Sequence, residues 1–301
     1  MFRFLAVFKI KANSILLLLC LLCLQVSLDA KGNITIDKKV FTFTAIPDQD
    51  AVYLQKRFKK FAEYLSLKLN MTVEYIPVKS YSAAITAFRN NQVQLAWFGG
   101  LSGLRARSLV KNSEAIAQGF EDQFFETYFI AHHSTGLKKS KDFPKGIRGY
   151  NFTFGSKGST SGRLMPEYYI RKELGVPMKV FTKVGYSGDH TKTIALVQAG
   201  SYKLGAVNYK VWESLKAQGK IDLKKISIIW KTPKYQDYQW SIRGDVDKNY
   251  GEKTIAKVKK VLLDIRDEAL LKSFPRSSFV AAKNSDYDNL KKTAKFIGLM
   301  D

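Results

Sequence analysis

The stretch Phe41-Thr42-Phe43-Thr44-Ala45-Ile46-Pro47-Asp48 opens an alternation that runs on to Val93-Gln94-Leu95-Ala96-Trp97-Phe98-Gly99-Gly100. Phe41 to Ile46 mixes β-branched and aromatic residues and reads as a strand; Pro47 and Asp48 break it. Asp48 or Asp50 then caps a helix that carries Tyr53, Leu54, Phe58, Phe61 and Leu65 on one face. Val73 to Val78 is the next strand, Tyr81 to Phe88 is helical, and Val93 to Phe98 is a short buried strand. Gly99-Gly100 turns the chain into another helix. Strand, helix and strand in repetition predict a mostly parallel sheet covered by helices.

A second series begins near Tyr128 to Ala131, with Ile147 to Gly155 as a new strand. Helices are expected at about 159–174, 190–199 and 209–217, with strands at 180–184, 205–207 and 226–230 between them. Tyr238 to Arg243 reads as a strand, followed by amphipathic helices at 255–271 and 287–296. Tyr235, Tyr238 and Trp240 alternate and so share one face. There is no repeat of fixed period and no low-complexity tract; the chain is α/β throughout.

The 20 Phe, 15 Tyr and 4 Trp with only 7 Pro in 301 residues argue against disorder. Charge is the anomaly: 49 Lys+Arg against 26 Asp+Glu give a formal +23. Such a balance fits nucleic acid, an anionic surface, a small anion, or simply a solvated Lys-rich surface. The lysines are spread along the chain, and no nucleic-acid motif accompanies them. The first thirty residues read as an export signal, with a retained N-terminal anchor as the alternative. Arg3, Lys9 and Lys11 precede an apolar core, Ile15 to Leu24, shorter than a membrane span, and Ala30 is the expected last residue of the leader. Removing three basic groups and one acid leaves 46 against 25, a net of +21, and takes away both cysteines, Cys20 and Cys23. The mature chain therefore has no disulfide, thiolate metal site or Cys nucleophile.

In sheets of this kind ligands bind beyond the carboxyl ends of strands, where loops enter helices. The strongest such junction is Gly155-Ser156-Lys157-Gly158-Ser159-Thr160-Ser161-Gly162-Arg163. Three hydroxyl residues stand in a row at a helix N-terminus, where free N–H groups and the helix dipole favour an anion. A helix cap needs only one of them. The Gly-Lys-Ser/Thr of a nucleotide loop is absent. A second junction, Gly185 to Thr191, puts His190 near a helix start, where it either donates to an anion or caps locally. Trp97-Phe98-Gly99-Gly100 is a third, with the Gly100 N–H facing the cleft; Asn208-Tyr209 at the end of a buried strand is a fourth. Tyr238 is placed on a pocket wall or a core face.

The order of these pieces resembles the periplasmic solute-binding proteins of ABC importers for phosphonate, phosphite and related oxyanions. The resemblance is carried by Ala45-Ile-Pro-Asp48, Val93-Gln-Leu-Ala-Trp-Phe-Gly99, Gly158-Ser-Thr-Ser-Gly162, Gly185-Tyr-Ser-Gly-Asp-His190 and Gly205-Ala-Val-Asn-Tyr209, and covers nearly all of residues 40–298. It implies a two-lobed type II binding-protein fold with ligand in the cleft. Lobe 1 would take 31–130 and 237–301, and lobe 2 would take 131–236. Two crossing strands near Phe129–Ala131 and Tyr238–Ser241 would form the hinge. It also implies that Ser159, Thr160, Ser161 and His190 hold the anion, with Tyr209 as the aromatic near the end of the second lobe's sheet, after Asn208; the junction residues Trp97, Phe98, Gly100 and Tyr238 are expected to complete the site. No metal, cofactor or catalysis is implied. The partners are a small oxyanion (phosphite or a small phosphonate) and an ABC permease, and the chain is expected to be a monomer. Relatives often have Asp where this chain has Asn208, which predicts a small, aromatic-lined pocket without an acid for an aminoalkyl group.

Other readings remain open from the residues alone: a protein for another anion such as phosphate or selenate, a sensor domain, or an exported basic nucleic-acid-binding protein. Enzyme alternatives fail on inventory. Porphobilinogen deaminase, of the same broad fold, needs a Cys to hold its cofactor, and no Ser-His-Asp set, zinc motif or nucleotide loop is visible.

Overall fold

The computed structural model describes residues 26–28, 34–36 and 39–301. Strands β1 (Val26–Leu28) and β2 (Ile34–Ile36) pair antiparallel in a unit of their own, on either side of the expected leader junction at Ala30. The apolar run Ile15–Leu24 lies outside the described residues.

From Val40 onward the chain builds two sheets. In the first, β3 (Phe41–Ala45) is joined by α1 (Ala51–Leu69) to β4 (Val73–Tyr75). From there α2 (Tyr81–Arg89) leads to β5 (Leu95–Phe98), and the three strands run parallel. Asp50 is the α1 cap, accepting from the Tyr53 N–H at 3.1 Å, which leaves Asp48 free for another task. The helix buries Leu54, Phe58, Phe61 and Leu65 on the sheet. Phe61 stacks on Trp240 with centroids 4.7 Å apart. α3 (Gly100–Ser108) leads to β6 (Glu114–Gly119), a strand absent from the sequence reading because Glu-Ala-Ile-Ala-Gln-Gly carries a single β-branched residue.

The second sheet takes β7 (Thr127–His132), β8 (Asn151–Phe154), β9 (Lys183–Tyr186), β10 (Leu204–Asn208) and β11 (Ile226–Lys231), in the spatial order β11-β7-β10-β8-β9. A turn of π-helix at 160–164 followed by α4 (Met165–Glu173), the short α5 (Pro177–Val180), α6 (His190–Gln198) and α7 (Tyr209–Ala217) make its connections. The chain then returns through β12 (Gln239–Ile242). It finishes with α8 (Val246–Tyr250), α9 (Thr254–Leu263), α10 (Glu268–Ser273), β13 (Phe279–Ala281) and α11 (Asp288–Phe296), giving a first sheet ordered β13-β6-β12-β5-β3-β4. The single helix expected over 255–271 is two: Ile265 turns into the core, and Asp267 caps α10 through the Leu270 N–H.

The chain crosses between sheets at 120–126 and 232–238. The two segments pair through reciprocal main-chain bonds between Phe125 and Tyr235, of 2.9 and 3.0 Å. The second crossing ends at Tyr238, where the segment expected over Tyr238–Ser241 begins, and the first runs just ahead of Phe129–Ala131, which lies inside β7. β7 in the second sheet, and β12 and β13 in the first, run antiparallel to strands that are otherwise parallel. Leu164 and Met165 of the second lobe pack in one buried cluster with Leu101, Leu104, Tyr287 and Leu290 of the first. The lobes therefore meet through apolar surface as well as through the polar cluster described next.

Candidate functional site

Loops at the carboxyl ends of β3, β5, β8, β9 and β10 converge between the lobes. They bring together Asp48, Gly100, the hydroxyl triplet, His190 and Asn208, and the returning crossing adds Asp237 and Tyr238. The side chains of Asp48, Ser159, Thr160, Ser161, His190, Asn208, Asp237 and Tyr238 are all buried. Burying so many polar groups is unfavourable unless they are partnered, so the partners define the site.

Ser159 caps the π-helical turn, its Oγ accepting from the Gly162 N–H at 2.9 Å. The N–H groups of Thr160 and Ser161 thus lie at a helix start, where no carbonyl of the helix reaches them. π-Turns recur where a helix is bent to serve a site. Gly162 is required there: a Cβ would lie 3.0 Å from Ser159 Oγ and 3.1 Å from His190 Cε1. Thr160 Oγ1 accepts from the Leu101 N–H at 3.0 Å and so ties the second lobe to the start of α3 in the first. Ser161 Oγ lies 3.4 Å from His190 Nε2.

His190 opens α6. Its main-chain N–H donates to the Asp48 carbonyl across the lobes at 3.0 Å. Its Nδ1 receives the Asn208 main-chain N–H at 3.3 Å. An N–H can only donate, so Nδ1 is unprotonated and the ring proton sits on Nε2, facing Ser161. Complete burial lowers the ring's pKa to about 4, against a smaller opposing pull from Asp189. His190 is a neutral donor. Asp189 turns away to cap α6 through the Lys192 N–H.

Asn208 caps α7 with its Oδ1, at 2.8 Å from the Lys210 N–H, and its Nδ2 donates to Tyr238 Oη at 3.0 Å. The Tyr238 hydroxyl in turn donates to Asp48 Oδ2 at 2.8 Å. Burial raises the Asp48 pKa, while Arg57 and Arg276 pull it down. Gly100 is where sequence placed it, but its N–H is taken by Asp237 Oδ1 at 2.8 Å. The other oxygen, Asp237 Oδ2, is buried with no hydrogen-bond partner. Burial pushes this carboxyl up to about 7.

The aromatic residues divide. Tyr238 reaches the cluster with its hydroxyl, and Trp97 stacks behind it, centroids 5.5 Å apart. Phe98 points the opposite way along β5, edge-on to Phe88 of α2 at 5.7 Å; it is a core residue and not a wall of the site. Tyr209 lies on the crossing, 4.8 Å from Phe125. Tyr235 bonds Thr127, whose hydroxyl donates to the Ser161 carbonyl. Arg276 sits behind Tyr238, held in both arms by Asp122 at 2.6 and 2.7 Å.

Sequence reasoning therefore missed the acids. The acid-free lining it inferred from Asn208 is wrong: Asp48 and Asp237 both enter the cluster. Asp48 stood in the quoted Ala45–Asp48 motif but read as a helix cap. Asp237 gave no signal of its own beyond preceding Tyr238. No group of His, Cys, Asp and Glu among the described residues is arranged to hold a metal ion.

Residues 43–287 match the family described as the periplasmic substrate-binding protein of ABC phosphonate transporters. Over 266 residues the chain is 39% identical to the probable ABC transporter phosphite binding protein PhnD1 of Prochlorococcus marinus (strain MIT 9301), covering 85% of this chain and 89% of that one. The structure of that organism's PhnD1 in complex with methylphosphonate superposes with a TM-score of 0.83 at 38% identity, over 87% of this chain and 99% of the other. A binding-protein component of a phosphonate ABC transporter from Pseudomonas aeruginosa shares the fold, with a TM-score of 0.76 at 20% identity over 86% and 87% of the two chains.

Proposed function

Because the chain belongs to the periplasmic substrate-binding proteins of ABC phosphonate transporters, we propose that its interlobe cluster captures phosphite or a small phosphonate such as methylphosphonate and presents it to a membrane permease. In this reading residues 1–30 are removed on export, the mature chain acts as a monomer, and the crossings at 120–126 and 232–238 are the hinge. The observation that carries the choice of ligand is a set of donors gathered in one buried cluster with an unpartnered acceptor. Ser161, the N–H groups of Thr160 and Ser161, and His190 Nε2 suit the charged oxygens of an oxyanion. When ionised, Asp237 Oδ2 suits an oxygen that still bears a proton.

Among the described residues no lysine or arginine side chain hydrogen-bonds to the cluster, although Arg57 and Arg276 lie near enough to act on Asp48. The anion is held by dipoles and hydrogen bonds, and the Asp237 Oδ2 acceptor is what a protonated oxyanion satisfies and a fully ionised one does not. Closure follows because the ligand would touch both lobes, adding contacts that exist only when they meet.

The buried acids also support a second reading, an aminoalkylphosphonate whose ammonium pairs with Asp237, since a buried ammonium needs such a partner. Calorimetric titration separates the two. Phosphite and methylphosphonate are expected to bind, 2-aminoethylphosphonate more weakly because its tail would have to enter a cluster whose side chains are all buried, and sulfate not measurably. Tighter binding of the aminoethyl compound would select the second reading, and heat from sulfate alone would refute both.

A further inference from the structure

Beside the enclosed cluster, the seam between the lobes opens into a cavity of about 380 Å³. Ser80, Ser82 and Arg105 of the first lobe and Ser156, Lys157 and Tyr186 of the second line it, and no acidic residue does. None of its lining residues belongs to the two crossings, so it is not part of the hinge. The Lys157 ammonium has no carboxylate partner among the described residues and lies over the Tyr186 ring, 5.3 Å from its centroid. Arg105 is bonded only to the Leu299 carbonyl, at 2.6 Å from Nη2. Arg163, whose guanidinium lies under the same Tyr186 ring at 4.8 Å, repels it and, after burial, is the second cause of its lowered pKa. Arg163 itself is paired with Glu167, so the uncompensated cations are Lys157 and Arg105, one from each lobe, on a hydroxyl-rich hollow with no acid in its lining, an arrangement that an anion would relieve.

The hollow adjoins the cluster at Tyr81 and Gly158, next to Ser159. Tyr81 lines the cavity, is 3% exposed, and its phenol interacts with the Ser159 hydroxyl of the cluster. Gly158 lets it fit so closely, since a Cβ there would stand 3.1 Å from the Tyr81 Cβ.

We propose that this hollow is an outer anion station, where an oxyanion docks on Lys157, Arg105 and the hydroxyls of Ser80, Ser82 and Ser156 before it passes Tyr81 into the cluster. The inference rests on the oxyanion reading of the cleft and adds a second, weaker site on the route to it. A like-signed rim at a cleft mouth raises association rates and makes them fall with salt.

Lys157 is exposed and outside the cluster, so its variants test the station without touching the inner site. Stopped-flow mixing with methylphosphonate at low ionic strength is expected to show association about tenfold slower for Lys157→Glu than for wild type, with Lys157→Gln between them. Both variants should show a flatter salt dependence and an unchanged dissociation rate. Wild-type association rates and salt slopes in both variants would overturn the station while leaving the cleft reading intact. Failure of the wild type to bind any oxyanion would overturn both.

Discussion

Replacing His190 with alanine is expected to weaken phosphite or methylphosphonate binding roughly ten- to hundredfold. Hydrogen bonds to charged groups are worth about 1.5–3 kcal/mol. The donor is well defined: the Asn208 N–H occupies Nδ1, so the proton must be on Nε2, beside Ser161 Oγ at 3.4 Å. With its pKa lowered to about 4 by burial, the ring gives the same neutral donor from pH 5 to pH 8. The His190 contribution, taken as the ratio of wild-type to variant affinity, should therefore stay constant across that range, with no step near the ordinary histidine value of about 6.5. His190→Gln, which keeps an N–H donor, should recover part of the loss. Calorimetry at several pH values checks all three statements; wild-type affinity in His190→Ala would remove the imidazole from the ligand's shell.

Asp237→Asn is expected to trade function for stability. Folding lifts the carboxyl from 3.8 to about 7, so the folded protein holds this proton more tightly than the unfolded chain does. Its contribution to stability is complete below pH 4, declines as pH rises to 7, and above 7 amounts to a cost on the order of 4 kcal/mol. Asparagine removes that cost, so the ligand-free variant should unfold at higher denaturant than wild type at pH 8 and show little gain at pH 4. His190 acts in the opposite sense, losing stability as pH falls from 6.5 toward 4, but it is common to both proteins and cancels. The ligand side is expected to go the other way. Asn Oδ1 would keep the Gly100 N–H, placing an NH2 group where Asp237 offers an acceptor. A P–O–H group would then face a donor, and phosphite affinity should fall by about tenfold or more. Sulfate, which brings only acceptors, should gain. An unchanged anion preference in this variant would show that Asp237 Oδ2 does not meet the ligand.

Much of this was legible in the chain, for reasons that can be named. Strands such as Phe41–Ala45 and helices such as α1 announce themselves through local pattern, and the hydroxyl triplet stands out because a helix start needs only one cap. Asp48 and Asp237 were hidden because a carboxylate's role depends on what it meets. Asp50, two residues from Asp48, does the capping that either could have done, and Asp237 is defined by Gly100, 137 positions away. Phe98 was misplaced by one step of the pleat: Trp97 and Phe98 are neighbours in sequence but point to opposite faces of β5. The strands β6 and β13 depend on pairing with distant partners, which no local propensity reveals.

The central claim, that the enclosed cluster between the lobes is a binding site for a small, protonated phosphorus oxyanion, is tested most directly by a crystal structure of the protein grown with methylphosphonate. The account predicts the phosphorus group among Ser159–Ser161, with one oxygen within hydrogen-bonding distance of His190 Nε2 and another within that distance of Asp237 Oδ2. Methylphosphonate bound elsewhere, with Asp237 Oδ2 still without a partner, would contradict it.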